Sequence, residues 1–284
     1  MNRVKRLLTV QDVSCVGQCS TTVALPLVSA CGVECAVLPP AILSNHTATG
    51  FSGWTLLDIA GEMPKIEERW AKENIKFDAF YTGYVCESHI DPILSIMRSA
   101  AAPSAVRIVD PAMADNGKLY PGFAPDFPEK MAKLCKGANY LLPNLTEASL
   151  LVGEKEVSSE FLARQTQKGV EEIISRLHEL EVSTVVLTGV SLDGESVGTA
   201  VSDGKEIVYD FNPRNPRSSH GTGDVFASVF SGAILRGASA AEAAALAADF
   251  VCECINLTSP DHWYGVSFER AIPYLVERIS KEIR

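Results

Sequence analysis

Residues 221–224 read Gly-Thr-Gly-Asp and run straight into an apolar stretch, VFASVFSGAIL. The first N–H groups of a helix have no partner inside the helix, so a helix start collects anions. Asp224 at such a start is either a plain cap charge or a base held beside a bound phosphate. Asn144 and Glu147 in PNLTE are spaced i, i+3, which lets both face one way at a second helix start. They read as an ordinary helix start or as part of a cation site. Further carboxylates stand at Asp12, Asp110 and Asp115. Carboxylates gathered in a cleft repel one another. A bound Mg²⁺ is the usual reason for them, since it takes oxygen ligands, keeps several waters and bridges to substrate phosphates. A glycine loop that offers N–H groups to a phosphate, a carboxylate placed to accept a hydroxyl proton, and a Mg²⁺ site together describe phosphoryl transfer. Catalysis there is mainly positioning and charge stabilisation. The sequence has no GxxxxGK[ST] loop, which excludes a P-loop kinase.

Taken singly, these residues have plainer readings. Asp110-Pro111 ends a strand in a turn. His46 is a hydrogen-bonding loop group. Thr82-Gly83-Tyr84 is a turn followed by a core aromatic. Their joint occurrence at successive strand ends favours the functional reading.

The positioning elements are apolar strand-length runs alternating with helical patterns. RLLTVQD (6–12), VECAVLP (33–39), DAFYTGYV (78–85), AVRIVDP (105–111), ANYLLPN (138–144) and STVVLTGV (183–190) read as buried strands. TTVALPLVSACG (21–32), PKIEERWAKENI (64–75), EFLARQTQKGVEEIISRLHEL (160–180, the longest), EAAALAADFVCECINL (242–257) and SFERAIPYLVERISKEI (267–283) read as helices, as does the run after Gly223. SVGTAVSD and KEIVYDF alternate around Asp203-Gly204, a hairpin signal. The expectation is one α/β domain over 1–284. It has a mostly parallel central sheet, an antiparallel edge hairpin and helices on both faces. Ligands in such sheets bind beyond the carboxyl ends of the strands, where Asp12, His46, Tyr84, Asp110, Asn144 and Thr188 fall.

The chain has 284 residues, 46% hydrophobic and 21% charged, with net charge −10. That balance fits a globular protein and argues against nucleic-acid binding. No 18-residue apolar run suggests a membrane span, and the N-terminal apolar stretch is too short for a signal peptide. Eight cysteines occur without a CxxC, which reads as reduced thiols of a cytoplasmic protein rather than a zinc site.

Gly221-Thr222-Gly223-Asp224 resembles the signature of the ribokinase-like superfamily, and Pro143-Asn144-x-x-Glu147 resembles its NxxE motif. VQD (10–12), LSNHTATGFSGW (43–54), TGY (82–84) and VDPAMADNGKLY (109–120) are similar to the pyridoxal kinase branch. The resemblance spans nearly the whole chain. It implies a ribokinase-like three-layer sandwich that phosphorylates the 5′-hydroxymethyl group of pyridoxal, pyridoxine or pyridoxamine with MgATP. By the same resemblance Asp224 is the base and Gly221, Thr222 and Gly223 are the anion hole. Asp110, Asn144 and Glu147 organise Mg²⁺, while Asp115 and Tyr120 belong to a loop closing over the phosphates. Thr188 contacts nucleotide phosphate, and Asp12, His46 and Tyr84 line the vitamin pocket. A homodimer and a monovalent cation such as K⁺ are implied as well. Two departures bear on the preferred vitamer. Asp12 stands where many pyridoxal kinases have serine, so it would pair with a protonated ring nitrogen or an amine. The loop Gly17-Gln18-Cys19-Ser20-Thr21 lacks the usual second glycine. The alternative reading is a hydroxymethylpyrimidine kinase of thiamine synthesis.

Overall fold

The computed structural model describes every residue except 1, 2, 48, 49, 155, 156, 216, 218, 219 and 284. Ala48-Thr49 of the LSNHTATGFSGW motif and Ser218-Ser219 before the Gly-Thr-Gly-Asp loop therefore lie outside the described residues. In chain order the strands are β1 (Arg6–Val10), β2 (Val13–Ser14), β3 (Glu34–Val37), β4 (Ala41–Leu43), β5 (Leu56–Asp58), β6 (Phe77–Thr82), β7 (Ala101–Val109), β8 (Ala114–Asp115), β9 (Lys118–Leu119), β10 (Tyr140–Leu141), β11 (Thr184–Val190), β12 (Ser196–Ser202) and β13 (Ile207–Pro213). The helices are α1 (Thr21–Ala30), α2 (Met63–Lys72), α3 (Glu87–Ser99), α4 (Phe127–Cys135), α5 (Leu145–Leu151), α6 (Ser159–Ala163), α7 (Gln167–His178), α8 (Thr222–Arg236), α9 (Ala240–Leu257) and α10 (Ile272–Glu282).

The central sheet has eight strands in the order β13-β12-β11-β10-β7-β6-β1-β3. Strands β3 through β11 run parallel, while β12 pairs antiparallel with both β11 and β13. The expected mostly parallel sheet with an antiparallel edge is present. β1 lies between β3 and β6, so the chain leaves β1 towards one edge and later returns to the other side. Such a reversal opens a crevice at the carboxyl end of β1.

Alternate strand residues serve opposite faces. Leu7, Tyr81 and Val186 join the core under α1, α8, α9 and α10, with Phe230 and Phe250. Leu8, Phe80 and Val185 join the core under α3, α4 and α7, with Ile93, Leu134 and Ile174. Being buried on both faces explains why these strands read as continuous apolar runs.

Two local readings are corrected by the structure, and one small sheet is new. The 160–180 helix is two helices, because Thr166 caps α7 by accepting from the Gly169 N–H at 3.1 Å. Gln165 is buried between them and exchanges backbone and side-chain hydrogen bonds with Ser191. The longest helix is accordingly the 18-residue α9. α10 starts at Ile272 rather than near Ser267, since Pro273 suits only a first helical turn. Finally β2, β4 and β5 form a separate three-stranded sheet. Its strands are too short to leave a periodic signal, and its register aligns Val13, Ile42 and Leu57 in one row.

α1 and α8 run side by side and both begin at the crevice. The contact is close because Gly232 faces Cys31: a Cβ at Gly232 would lie 2.6 Å from the Cys31 Cβ and Sγ. Gly232→Val should therefore force the two helices apart and lower stability by about 1–3 kcal/mol. Urea unfolding checks this, and an unchanged midpoint would contradict it.

Candidate active site at the sheet's carboxyl edge

Gly221 precedes α8 with φ 80, the left-handed region. A Cβ there would lie 2.0 Å from the Gln18 carbonyl oxygen, so only glycine lets the start of α8 meet the 17–20 loop. No side chain caps α8. The first-turn N–H groups after Gly221 thus keep their capacity for an anion. Asp224, in that first turn, is half-buried. Burial pushes its carboxyl up to about 7; the Ser20 N–H, donating to it, pulls the other way, and the Asp12 charge adds to the rise.

Ser20 itself has φ 51 and ψ −134, a conformation that side chains rarely adopt. It aims the Ser20 N–H across at Asp224. Asp12 lies buried at the end of β1 and accepts from Ser14 Oγ at 2.9 Å. Burial raises its carboxyl, while hydrogen bonds from the Ser20 and Ser14 side chains oppose the rise. Cys19 belongs to the same group: burial and then the charges of Asp224 and Asp12 hold its thiol above the ordinary value. The sequence reading filed Cys19 with the buried thiols. Its place just ahead of the α1 start was the signal that it faces the crevice.

A second carboxyl group lies across the sheet edge. Asp110 follows β7, its N–H bonded to the Thr82 carbonyl at 2.9 Å. Burial, the Glu147 charge and the Asp224 charge hold its carboxyl well above the usual carboxylate range. Asn144 and Glu147 make a reciprocal capping box on α5: Asn144 Oδ1 accepts from the Glu147 N–H and Glu147 Oε2 from the Asn144 N–H, both at 2.9 Å. Glu147 Oε1 also accepts from the Met113 N–H at 3.1 Å, and Asn144 Nδ2 donates to the Ala114 carbonyl at 2.8 Å. Burial raises Glu147 against these hydrogen bonds. The NxxE pair is therefore a helix start and also the anchor of the next loop.

That loop is the β8–β9 hairpin. Asn116 and Gly117 both have positive φ, 51 and 78, as a two-residue hairpin turn requires. The Gly117 N–H donates to Thr146 Oγ1 at 3.0 Å. Asp115 is exposed at the hairpin. Tyr120 is half-buried, and burial followed by the charges of Glu147, Asp115, Asp110 and Asp224 raises its hydroxyl. Thr188 stands beside Asn144 in an isolated parallel bridge, its N–H bonded to the Pro143 carbonyl at 2.9 Å.

His46 and Tyr84 flank the crevice. His46 is buried, and its Nε2 donates to the Tyr264 carbonyl at 3.0 Å, which ties the 44–54 loop to the 259–265 segment. Burial lowers its pKa. Tyr84 is half-buried and packs against Phe123 at 5.2 Å. Ser20, Cys19 and Phe123 are the neighbours that sequence reasoning missed.

Among the described residues, no three His, Cys, Asp or Glu side chains are arranged to hold a metal ion directly. Asp110 and Glu147 nevertheless offer oxygen donors only, buried and mutually repelling. That donor set suits a hard divalent cation that keeps several of its waters.

Residues 61–266 match the family model of phosphomethylpyrimidine kinase. Pyridoxine kinase of Bacillus subtilis is 28% identical over 202 residues, 68% of this chain and 69% of that protein. A phosphomethylpyrimidine kinase-like protein from Bacteroides thetaiotaomicron, solved with pyridoxal, is 31% identical with TM-score 0.88 over 96% of each chain. Pyridoxal kinase from Lactobacillus plantarum is 26% identical with TM-score 0.87, covering 99% of this chain and 100% of that one. The sheet order, the crevice and these matches agree: the chain belongs to the phosphomethylpyrimidine kinase family, with pyridoxal and pyridoxine kinases among its relatives.

Proposed function

We propose that this protein is a kinase that transfers the γ-phosphoryl group of ATP to the 5′-hydroxymethyl group of a B6 vitamer. The observation that carries the reading is Asp224: a carboxyl raised to about 7, set in the first turn of α8, a helix preceded by Gly221, whose place no side chain can take. A base with such a pKa is matched to proton transfer near neutral pH. The relatives named for pyridoxal and pyridoxine supply the substrate class.

In this reading the vitamer hydroxyl gives its proton to Asp224 as its oxygen attacks the phosphoryl group. The N–H groups of the Gly221–Gly223 turn and the α8 dipole stabilise the charge on the transferred oxygens. Asp110, Asn144 and Glu147 would hold a Mg²⁺ ion and its waters, which would supply charge neutralisation of the phosphates. Asp115 and Tyr120 cover the phosphates from the β8–β9 side, and Thr188 contacts nucleotide phosphate. Asp12, His46 and Tyr84 hold the vitamer ring. Asp12, raised by burial, favours a cationic partner such as a protonated ring nitrogen or amine. We also read the outward row Val13, Ile42 and Leu57 as part of a homodimer surface; Ile42 and Leu57 are 38% and 61% exposed.

An ADP-release assay with pyridoxal, pyridoxine, pyridoxamine and hydroxymethylpyrimidine tests the function; faster turnover of the pyrimidine than of every B6 vitamer would overturn it. Asp224→Asn should lower kcat by about 10²–10⁴, the range for a general base, with a smaller effect on the KM for ATP. Because a protonated Asp224 accepts nothing, kcat/KM should rise with pH and level off above Asp224's value of about 7. That rising limb should vanish in Asp224→Asn. Sedimentation should show a dimer that Leu57→Asp converts to monomer; a wild-type monomer at micromolar concentration would refute the surface assignment.

A further inference from the structure

His89 is buried, 1% exposed, and both of its ring nitrogens are engaged. It is the third residue of α3, whose start follows the Thr82-Gly83-Tyr84 turn. The Cys86 N–H, just ahead of the helix, donates to His89 Nδ1 at 3.0 Å. An imidazole that accepts at Nδ1 carries its proton on Nε2 when neutral. That Nε2–H donates to Asp58 Oδ1 at 3.0 Å. A glutamate at this helix position could close a capping box, but only the histidine ring has a second nitrogen left to reach another element. Asp58, the last residue of β5, is itself held: Oδ1 also accepts from the Ala60 N–H at 2.7 Å, and Oδ2 from Ser88 Oγ at 3.2 Å. Burial would raise its carboxyl, but the Ala60 N–H and His89 outweigh that and keep it below its ordinary value.

This bridge joins two parts of the crevice wall. The small sheet follows directly on Asp12 through β2, and its strand β4 leads into the loop of His46. β5, with Asp58 at its end, pairs with β4 in that same sheet. Tyr84 belongs instead to the main sheet, in the turn after β6. Its hydroxyl neighbours the Cys86 thiol, and the Asp12 charge reaches both. A cavity of about 340 Å³ has Trp54 and Leu56 on the small-sheet side and Tyr84 and Cys86 on the α3 side. Asp12 and His46 thus stand on one part and Tyr84 on the other, and the line Asp58–His89–Cys86 ties the two together.

We propose that His89 is a positioning residue for vitamer binding: bridged to Asp58, it holds the Cys86 amide, and with it the turn that presents Tyr84, in register with Asp12 and His46. This rests on the functional reading above, in which those three residues hold the vitamer ring. Neither His89 nor Asp58 touches a reacting group; both act through Tyr84.

Steady-state kinetics with pyridoxal and MgATP test the bridge from its exposed end, since the Asp58 side chain is 44% exposed and its truncation leaves the core intact. Asp58→Ala should raise the KM for pyridoxal about tenfold, as loss of one hydrogen bond to a charged group allows, while kcat and the KM for ATP stay within about twofold. Asp58→Asn, which still accepts from the ring at Oδ1, should keep the KM for pyridoxal within about twofold of wild type. His89→Asn places an acceptor where Nδ1 was but cannot reach Asp58, so it should show the same rise as Asp58→Ala. The double variant should be no worse than either single one, because both cut one line. An unmoved KM for pyridoxal in either single variant, a double variant whose losses multiply, or a kcat and KM for ATP that change as much as the KM for pyridoxal would overturn the positioning role while leaving the functional reading intact. Failure of the wild type to phosphorylate any B6 vitamer would overturn the functional reading and the positioning role with it.

Discussion

Like charges resist being buried together, yet Asp12, Asp110, Glu147 and Asp224 converge on one crevice. Most of the local architecture follows from holding them there. Each sits where a strand ends or a helix begins, and backbone N–H groups face two of them. Glu147 takes N–H groups from Met113 and Asn144, and Asp224 takes that of Ser20. These donors do not cancel the burial, because Asp110, Glu147 and Asp224 all remain raised. A carboxyl raised by folding keeps a proton that the unfolded chain has released. Its stabilising contribution is complete below the ordinary carboxylate range and is lost as pH rises through the folded value. At neutral pH the bare crevice therefore works against the fold, a conflict that the cation of the proposed reading would relieve.

Much of this was legible in the sequence, for identifiable reasons. Strands buried on both faces announce themselves as apolar runs, and the chemistry of their ends can be read off in order. The hairpin at Asp203-Gly204 is local, so its signal is local: Asp203 Oδ1 accepts from the Lys205 and Glu206 N–H groups, and Gly204 takes φ 86. The β2-β4-β5 sheet was invisible because its strands are two or three residues long and pair across distant segments. The break at Gln165 was missed because its cause is tertiary, a partner at Ser191. Asn144 and Glu147 form the helix start expected of that spacing, and the same capping box anchors the neighbouring loop.

Cys19 marks the same limit. A small apolar-looking residue in a glycine-containing loop reads as packing, and only the approach of α8 to that loop brings its thiol near two carboxylates. Sequence shows which residues stand at strand ends; it does not show which of those ends face one another.

The contact between Gly221 and the Gln18 carbonyl has a consequence for engineering this family. The 17–20 loop and the start of α8 lie some two hundred positions apart in the chain, yet their backbones touch with no space for a side chain between them. They are one part in three dimensions. A chimera that imports another relative's first loop to alter vitamer choice would displace the Ser20 amide from Asp224, and so, on the proposed reading, would retune the base along with the pocket. On the proposed reading, specificity and proton transfer are not separable modules here: a donor loop would have to come with its own matching helix start, or the graft would change the reaction's pH profile before it changed the substrate.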